Sequence, residues 1–569
     1  MANQRVVVLG FSSMLLVAMV IGVAVTVTKE DDPSSDGVNS SGLSTTTKSV
    51  EAVCQSTDYK DTCVTTLSSS AGGTSDPKEL IKIAFNVAIK YVGDAMNNST
   101  VLQQAESDPV THAAYESCKE LLQDSINDLQ DTFDKFGTFD LHHLHDYVQD
   151  LKTWLSGALT FQETCLDGFE NTTGNAGENM KQLLKISGEL TRNGLAMVDE
   201  FSKTVMSLNV SSFGARRLLS SDGIPYWVDS SRRKLLQAAA VPYPSYTISK
   251  FDVDPTPNVV VAKDGSGNVK TIAEALAKVP LHSKVPFVIR IKAGVYAEYV
   301  EVTRMMTNVV MLGDGPTTTR ITGNKNFADG LPFFKTPTFV VQGAHFYAKG
   351  IGFENTAGAN KRQASSIRVS ADMSIFYQCN FDGYQSTLFT HVHRQYYREC
   401  SISGTIDSIF GDASAVFQNC TMVVRKPMDG QSCKITAQGR DDKRANTGLV
   451  LQKCSIVAAP EFTSSPTPIL AYLGRPWKMY SRTIIVNTNI DGFIDPQGWV
   501  QFAGSFGTST SFFVEFGNTG EGSDKSKRVV WPAIKNMNAR QIAPFSASKF
   551  ISSDLWVKPT GLPYDSTIN

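Results

Sequence analysis

Phe376-Tyr377-Gln378-Cys379-Asn380-Phe381 is echoed by Tyr397-Arg398-Glu399-Cys400-Ser401-Ile402, and the phrase returns twice more. Phe417-Gln418-Asn419-Cys420-Thr421-Met422 and Leu451-Gln452-Lys453-Cys454-Ser455-Ile456 carry it on. Phe346-Tyr347-Ala348-Lys349-Gly350-Ile351 is the same phrase with glycine in place of cysteine. The cysteines are spaced by 21, 20 and 34 residues, so the period is near 20 with one longer loop. A unit that short cannot bury its own apolar face, so neighbouring units must stack. A parallel β-helix is the expected architecture. A sandwich or propeller would show hairpin turns or a longer regular period. Cysteines stacked one coil apart predict a Cys420–Cys454 disulfide, with Cys379–Cys400 a second candidate and Cys433 left unpaired.

The strand-like texture begins at residue 248, with short runs such as Phe287-Val288-Ile289-Arg290-Ile291 and Val309-Val310-Met311-Leu312. The region before it differs. Between 50 and 205 apolar residues recur at helical spacing: Leu80-Ile81, Ile83-Ala84, Val87-Ala88 and Tyr91, then Leu121-Leu122, Ile126, Leu129 and Phe133, then Leu183-Leu184 and Leu190. Such segments joined by short polar breaks predict an all-α four-helix bundle. Its cysteines, Cys54, Cys63, Cys118 and Cys165, allow three pairings. Cys54–Cys63 with Cys118–Cys165 is the simplest. Residues 206–247 form a linker with two dibasic clusters, Arg216-Arg217-Leu218-Leu219 and Arg232-Arg233-Lys234-Leu235-Leu236, which read as sites for a processing protease.

Residues 30–49 are rich in Ser, Thr, Asp and Gly and read as a flexible stalk. Ahead of them, Val6 to Val27 is an apolar run of about 22 residues preceded by Arg5. It fits either a membrane anchor or a cleaved secretory signal within residues 1–29. Both imply export, with tethering to the membrane before processing under the anchor reading. Export makes disulfides permissible. It also gives meaning to the glycosylation sequons at Asn39, Asn97, Asn98, Asn171, Asn209 and Asn419.

Charge is unevenly placed in the 569 residues. Residues 1–240 hold 19 Lys+Arg and 30 Asp+Glu, a balance of −11; residues 241–569 hold 34 and 25, a balance of +9. A mildly basic second half suits a polyanionic partner, although +9 over that length does not indicate nucleic acid. No Gly-x-Ser-x-Gly elbow occurs, which argues against a serine esterase of the α/β-hydrolase type. No His-Glu-x-x-His or Cys-x-x-Cys occurs either, so a zinc site has no support. His142, His143 and His145 read as a solvated helix end. His391 and His393 point the same way on one strand and read as packing residues.

The densest chemistry lies in Gly404-Thr405-Ile406-Asp407-Ser408-Ile409-Phe410-Gly411. A carboxylate in an apolar strand needs a cationic or hydrogen-bonding partner. Arg475, in Leu473-Gly474-Arg475-Pro476-Trp477, offers a bidentate fork. Gln363 and Gln385 are side-chain amides able to donate to an oxyanion. Tyr384, Phe389, Phe410 and Trp477 could form an aromatic platform.

These phrases resemble a known family, the plant pectin methylesterases made with an N-terminal inhibitor-like domain. The resemblance rests on five ordered stretches: Gly294-Val295-Tyr296-Ala297-Glu298, Gln363-Ala364, Gly383-Tyr384-Gln385 with Thr387-Leu388, Gly404-Thr405-Ile406-Asp407 with Ile409-Phe410-Gly411, and Leu473-Gly474-Arg475-Pro476-Trp477. Residues 50–205 are similar to the invertase and pectin methylesterase inhibitor fold, and 248–565 to the esterase. The resemblance implies a right-handed parallel β-helix that removes methyl esters from homogalacturonan, giving pectate and methanol, with no cofactor and no metal. It implies Asp407 as nucleophile, Gln363 and Gln385 as oxyanion stabilisers, Arg475 as the residue that orients the nucleophile, and Gln363, Phe410, Arg475 and Trp477 as substrate contacts.

One position departs. Ser386 stands where the family carries an aspartate that protonates departing methanol, and a serine hydroxyl does not supply a proton readily near neutral pH. Asp412 stands where the family usually has asparagine. Its odd separation from Asp407 would put it on the opposite face of an extended strand. Ser408 also replaces a usual aromatic of the family, and Ser365 and Ser366 replace apolar residues. The sequence thus predicts a pectin esterase precursor of weakened or altered activity, whose acidic N-terminal half covers the basic cleft until the linker is cut. The rival is a non-catalytic pectin-binding or inhibitor-type protein on the same fold. A pectate lyase or polygalacturonase is a further rival, which would need additional carboxylates beside Asp407.

Overall fold

The computed structural model describes residues 45–106, 108–137, 144–170, 172–207 and 255–568. The apolar run within 1–29, the dibasic clusters, His142, His143, and the sequons at Asn39, Asn171 and Asn209 lie outside the described residues. No described helix is long and apolar enough to cross a membrane. The chain divides into two compact units, one formed within 1–94, 126–155 and 183–246, the other within 95–125, 156–182 and 247–569.

Four long helices, Pro77–Met96, Pro109–Lys135, Leu144–Asp167 and Ala176–Ser207, are the expected periodic segments. Three short ones, Thr45–Cys54, Lys60–Ser70 and Ser99–Ala105, were not legible as such. The first of these takes in the last five residues of the expected stalk. In the first unit the Cys54–Cys63 disulfide, with Cα atoms 5.7 Å apart, joins two short helices. The Asn193 side chain donates to Tyr59 O and accepts from Tyr59 N–H, fixing the loop between them. In the second unit Cys118 and Cys165 are bonded, as in the simplest pairing.

The rest of the second unit is a right-handed parallel β-helix. Three parallel sheets of 11, 7 and 8 strands run side by side, and each complete coil feeds one strand to each. The repeated phrase sets the register: Phe376 pairs with Tyr397, Tyr397 with Phe417 and Phe417 with Leu451. Their side chains stack inward. The Phe376 and Tyr397 rings lie 5.1 Å apart and the Tyr397 and Phe417 rings 4.4 Å apart, each pair stacked and nearly parallel. Between strands the chain turns through left-handed residues. Gln378, Glu399, Asn419 and Lys453 have φ near +52° to +53° in successive coils. Each costs about 1 kcal/mol of backbone energy, so the turn is held by the stacking of neighbouring coils.

The expected Cys420–Cys454 disulfide is absent: both residues are buried free thiols, as are Cys379, Cys400 and Cys433. In-register parallel strands hold side chains about 4.8 Å apart, whereas a disulfide draws Cβ atoms to roughly 3.5–4.5 Å. Three of these thiols instead donate to a carbonyl of the preceding coil, Cys400 to Phe376 O (3.4 Å), Cys420 to Tyr397 O (3.5 Å) and Cys454 to Phe417 O (3.5 Å).

Candidate active site

Asp407 does not lie in a strand. It occupies a turn between strands Ser401–Gly404 and Ile409–Gly411, with φ +52°. Ser386 occupies the matching turn one coil earlier, with φ +61°, and its N–H donates to Ile406 O (2.8 Å). These left-handed corners turn the side chains off the strand axis, so alternation along an extended strand is the wrong guide to where Asp407 and Asp412 point.

Arg475 grips the Asp407 carboxylate with two parallel bonds, Nε to Oδ1 at 2.8 Å and Nη2 to Oδ2 at 2.6 Å. Both side chains are mostly buried, 11% exposed for Asp407 and 17% for Arg475. The guanidinium also lies 4.4 Å over the ring of Phe502. The fork and the ring fix Arg475, and Arg475 fixes the rotation of the carboxylate. Such charge-assisted bidentate pairs are shorter and stronger than neutral hydrogen bonds.

Gln363 and Gln385 bridge in parallel across adjacent coils and are half-buried. No side-chain hydrogen bond of either amide occurs among the described residues, so both are available to a ligand. The Phe389 and Phe410 rings stack at 4.3 Å, and Trp477 packs on Phe410 at 5.9 Å. Gly439 makes room for this, since a Cβ there would fall 2.9 Å from the Trp477 ring. Tyr384 stands apart from the platform: Arg425 lies 4.0 Å over its ring and donates to its hydroxyl at 2.8 Å. Glu298 of the first motif is structural, its carboxylate accepting from Ile272 and Ala273 N–H at the start of helix Ile272–Leu276.

Asp412 has a separate set of partners. Oδ1 accepts from Gln438 Nε2 (2.8 Å) and from Thr447, and Oδ2 accepts from Thr160 Oγ1 (2.7 Å). Burial pushes its pKa up to about 6 despite these donors. Ser365 Oγ donates to Ser386 O and Ser366 Oγ to Thr387 O, so the two serines pin the backbone beside the site. His391 and His393 are buried and point the same way, onto the ring of Phe161. His391 bonds Thr164 Oγ1 and Ser370 Oγ. Burial lowers its pKa.

Thr160 and Thr164 lie in the 156–182 segment of the same unit, and sequence reasoning missed them. Asp167 there pairs with Lys478 Nζ at 2.6 Å, and burial raises the Asp167 pKa to about 6. Glu120, in the 95–125 segment, pairs with the buried Arg368 at 3.2 Å and with Lys335. The charge asymmetry was the one signal of this face. Lys434 was also missed. It sits in strand Cys433–Gln438, and its one sequence signal is a lysine among the apolar residues of that strand.

Comparison with known proteins agrees with this architecture. A pectinesterase family model matches residues 258–554, and a plant invertase/pectin methylesterase inhibitor model matches 48–197. The chain belongs to the pectinesterase family. It is 47% identical to "Probable pectinesterase/pectinesterase inhibitor 21" of Arabidopsis thaliana over 99% of this chain and 82% of that protein. It is 38% identical to pectinesterase 3 of Phaseolus vulgaris over 95% of this chain and 90% of that protein. Among solved structures, the pectin methylesterase from carrot superposes with a TM-score of 0.55 at 44% identity, covering 56% of this chain and 99% of that one. Family membership places the chain among carboxylic ester hydrolases that demethylesterify pectin.

Proposed function

We propose that this protein hydrolyses the methyl esters of homogalacturonan through Asp407 as nucleophile, leaving pectate and methanol. The observation that carries the reading is the Asp407 carboxylate, oriented by the Arg475 fork beside the free amides of Gln363 and Gln385. Attack by an Asp407 oxygen on the ester carbonyl forms an acyl-enzyme, and water then releases it. The two amides supply hydrogen bonds where the carbonyl oxygen gains charge. Phe410 and Trp477 offer an apolar wall to the sugar ring. Ser386, at the family's general-acid position, cannot give the leaving group a proton, and a general acid contributes about 10²–10⁴-fold.

In this reading the N-terminal apolar run exports the chain to the cell wall. Segments 95–125 and 156–182 restrain the site through Glu120, Thr160, Thr164 and Asp167 until the linker is cut. The test is methanol release from highly methylated pectin by the full chain, before and after limited proteolysis of linker 206–247 with both pieces kept together. Release that disappears in Asp407→Asn supports the esterase. No release from the parent, with activity appearing in Ser386→Asp, refutes it in favour of a pectin-binding protein on the same fold.

A further inference from the structure

Hydrolysis of a methyl ester expels methoxide, a strong base that must be protonated as it leaves. The described groups around Asp407 include few proton donors free for that task. Arg475 is committed to Asp407 through both bonds of its fork. Tyr384 stands apart from the aromatic platform, its ring and hydroxyl both held by Arg425. His391 and His393 are turned to Ser370, Thr164 and Phe161. Both oxygens of Asp412 are taken by Gln438, Thr447 and Thr160.

Lys434 remains, and its backbone is built into the nucleophile's turn. Its N–H donates to Thr405 O (3.0 Å), and its C=O accepts from Ser408 N–H (3.2 Å). The two bonds straddle Asp407. On the opposite side Ser386 N–H donates to Ile406 O, so Ser386, Asp407 and Lys434 follow one another in three successive coils. The Lys434 side chain is half-buried, and no carboxylate lies within ion-pair distance of it among the described residues. Its ammonium is held by Ser432, through the carbonyl O (2.9 Å) and Oγ (2.6 Å). A half-buried cation without a carboxylate partner carries a desolvation cost that a packing residue would not. Burial, followed by the nearby Arg475 guanidinium, pulls its pKa below the ordinary lysine value, against the opposing charge of Asp407. Cys433 beside it and Tyr472 across the strand pair are the other titratable neighbours.

We infer that Lys434 is the proton donor for departing methanol, a catalytic role taken up from the coil after the nucleophile rather than the coil before it. The inference rests on the esterase reading of Asp407. As the tetrahedral adduct collapses, the C–OCH₃ bond breaks with its electron pair on the methoxy oxygen. That oxygen takes a proton from Lys434 Nζ, leaving methanol, a neutral amine and an anhydride between the galacturonyl group and Asp407. The amine then takes one proton from the water that attacks the anhydride. The bond to Asp407 breaks, Asp407 leaves as carboxylate, and the new galacturonic acid gives its proton to solvent. Lys434 is again an ammonium.

The test uses the full chain, with its linker cut as above, and steady-state methanol release across pH. Lys434→Gln lowers kcat by about 10²-fold or more with KM little changed, and the alkaline limb of the parent's pH profile disappears. Lys434→Arg keeps the charge and stem, yet a guanidinium gives up no proton, so its kcat falls as well. Small primary amines restore part of the rate to Lys434→Ala, and Ser386→Asp restores it to Lys434→Gln. A structural role for Lys434 predicts no rescue by amines. Lys434→Gln with the parent's kcat and pH profile, or a fully active Lys434→Arg, would overturn the inference and leave the esterase standing. A parent that releases no methanol at any pH would overturn the esterase reading, and this inference with it.

Discussion

Replacing Asp412 by Asn should stabilise the protein more at neutral pH than in acid. Asp412 is 5% exposed, and its three donors come from Gln438, Thr447 and Thr160. Burial raises its pKa from 3.8 to about 6, with the hydrogen bonds and Arg440 opposing. In the unfolded chain the carboxyl ionises near 3.8, whereas in the folded protein it holds its proton to about 6. The folded state therefore loses stability as pH rises between those values, and the loss is constant above them. Linkage gives a cost of about 1 kcal/mol at pH 4.5 and about 3 kcal/mol at pH 7.5, a difference of about 2 kcal/mol. Asparagine has the same shape and no charge to bury. The assay is thermal unfolding of parent and Asp412→Asn at the two pH values. The variant's advantage in Tm should grow by several degrees from pH 4.5 to 7.5, at roughly 2–4 °C per kcal/mol for a unit of this size. An advantage independent of pH, or larger in acid, would refute the burial argument.

Arg475→Lys keeps a positive charge but loses the fork on Asp407, so methanol release should fall by about 10-fold or more with the fold unchanged by circular dichroism. Phe417→Ala opens the stack below Tyr397 and should cost about 3–5 kcal/mol in urea unfolding, with no selective effect on the site. Asp167→Asn weakens the buried pair with Lys478. If segment 156–182 restrains the site, the uncut protein should release methanol several-fold faster, while protein already cut should gain less.

The repeated phrase exposed the coil because it shows which side chains each turn must bury, and Phe376, Tyr397 and Phe417 do stack inward in that order. The same phrase misled on Cys420 and Cys454. Spacing brings two cysteines to neighbouring coils, but the separation of their Cβ atoms is set by the hydrogen-bonded sheet. Asp407 and Arg475 were legible as a pair because a carboxylate in an apolar run bracketed by Gly404 and Gly411 needs a cationic or hydrogen-bonding partner. Their geometry was not, since Asp407 turns through a left-handed corner that strand alternation does not describe.

Composition and periodicity by themselves determined a helical segment followed by stacked β coils, because local spacing reports which face of each element must leave water. The fold decided everything that depends on register between coils. Loops of unequal length, such as the 34 residues between Cys420 and Cys454, hide which residues become neighbours. Ser386, Asp407 and Lys434 lie 21 and 27 positions apart in the chain, yet they occupy matching places in successive coils. Only the cooperative packing of successive coils, which holds each strained turn in place, puts a lysine beside the nucleophile.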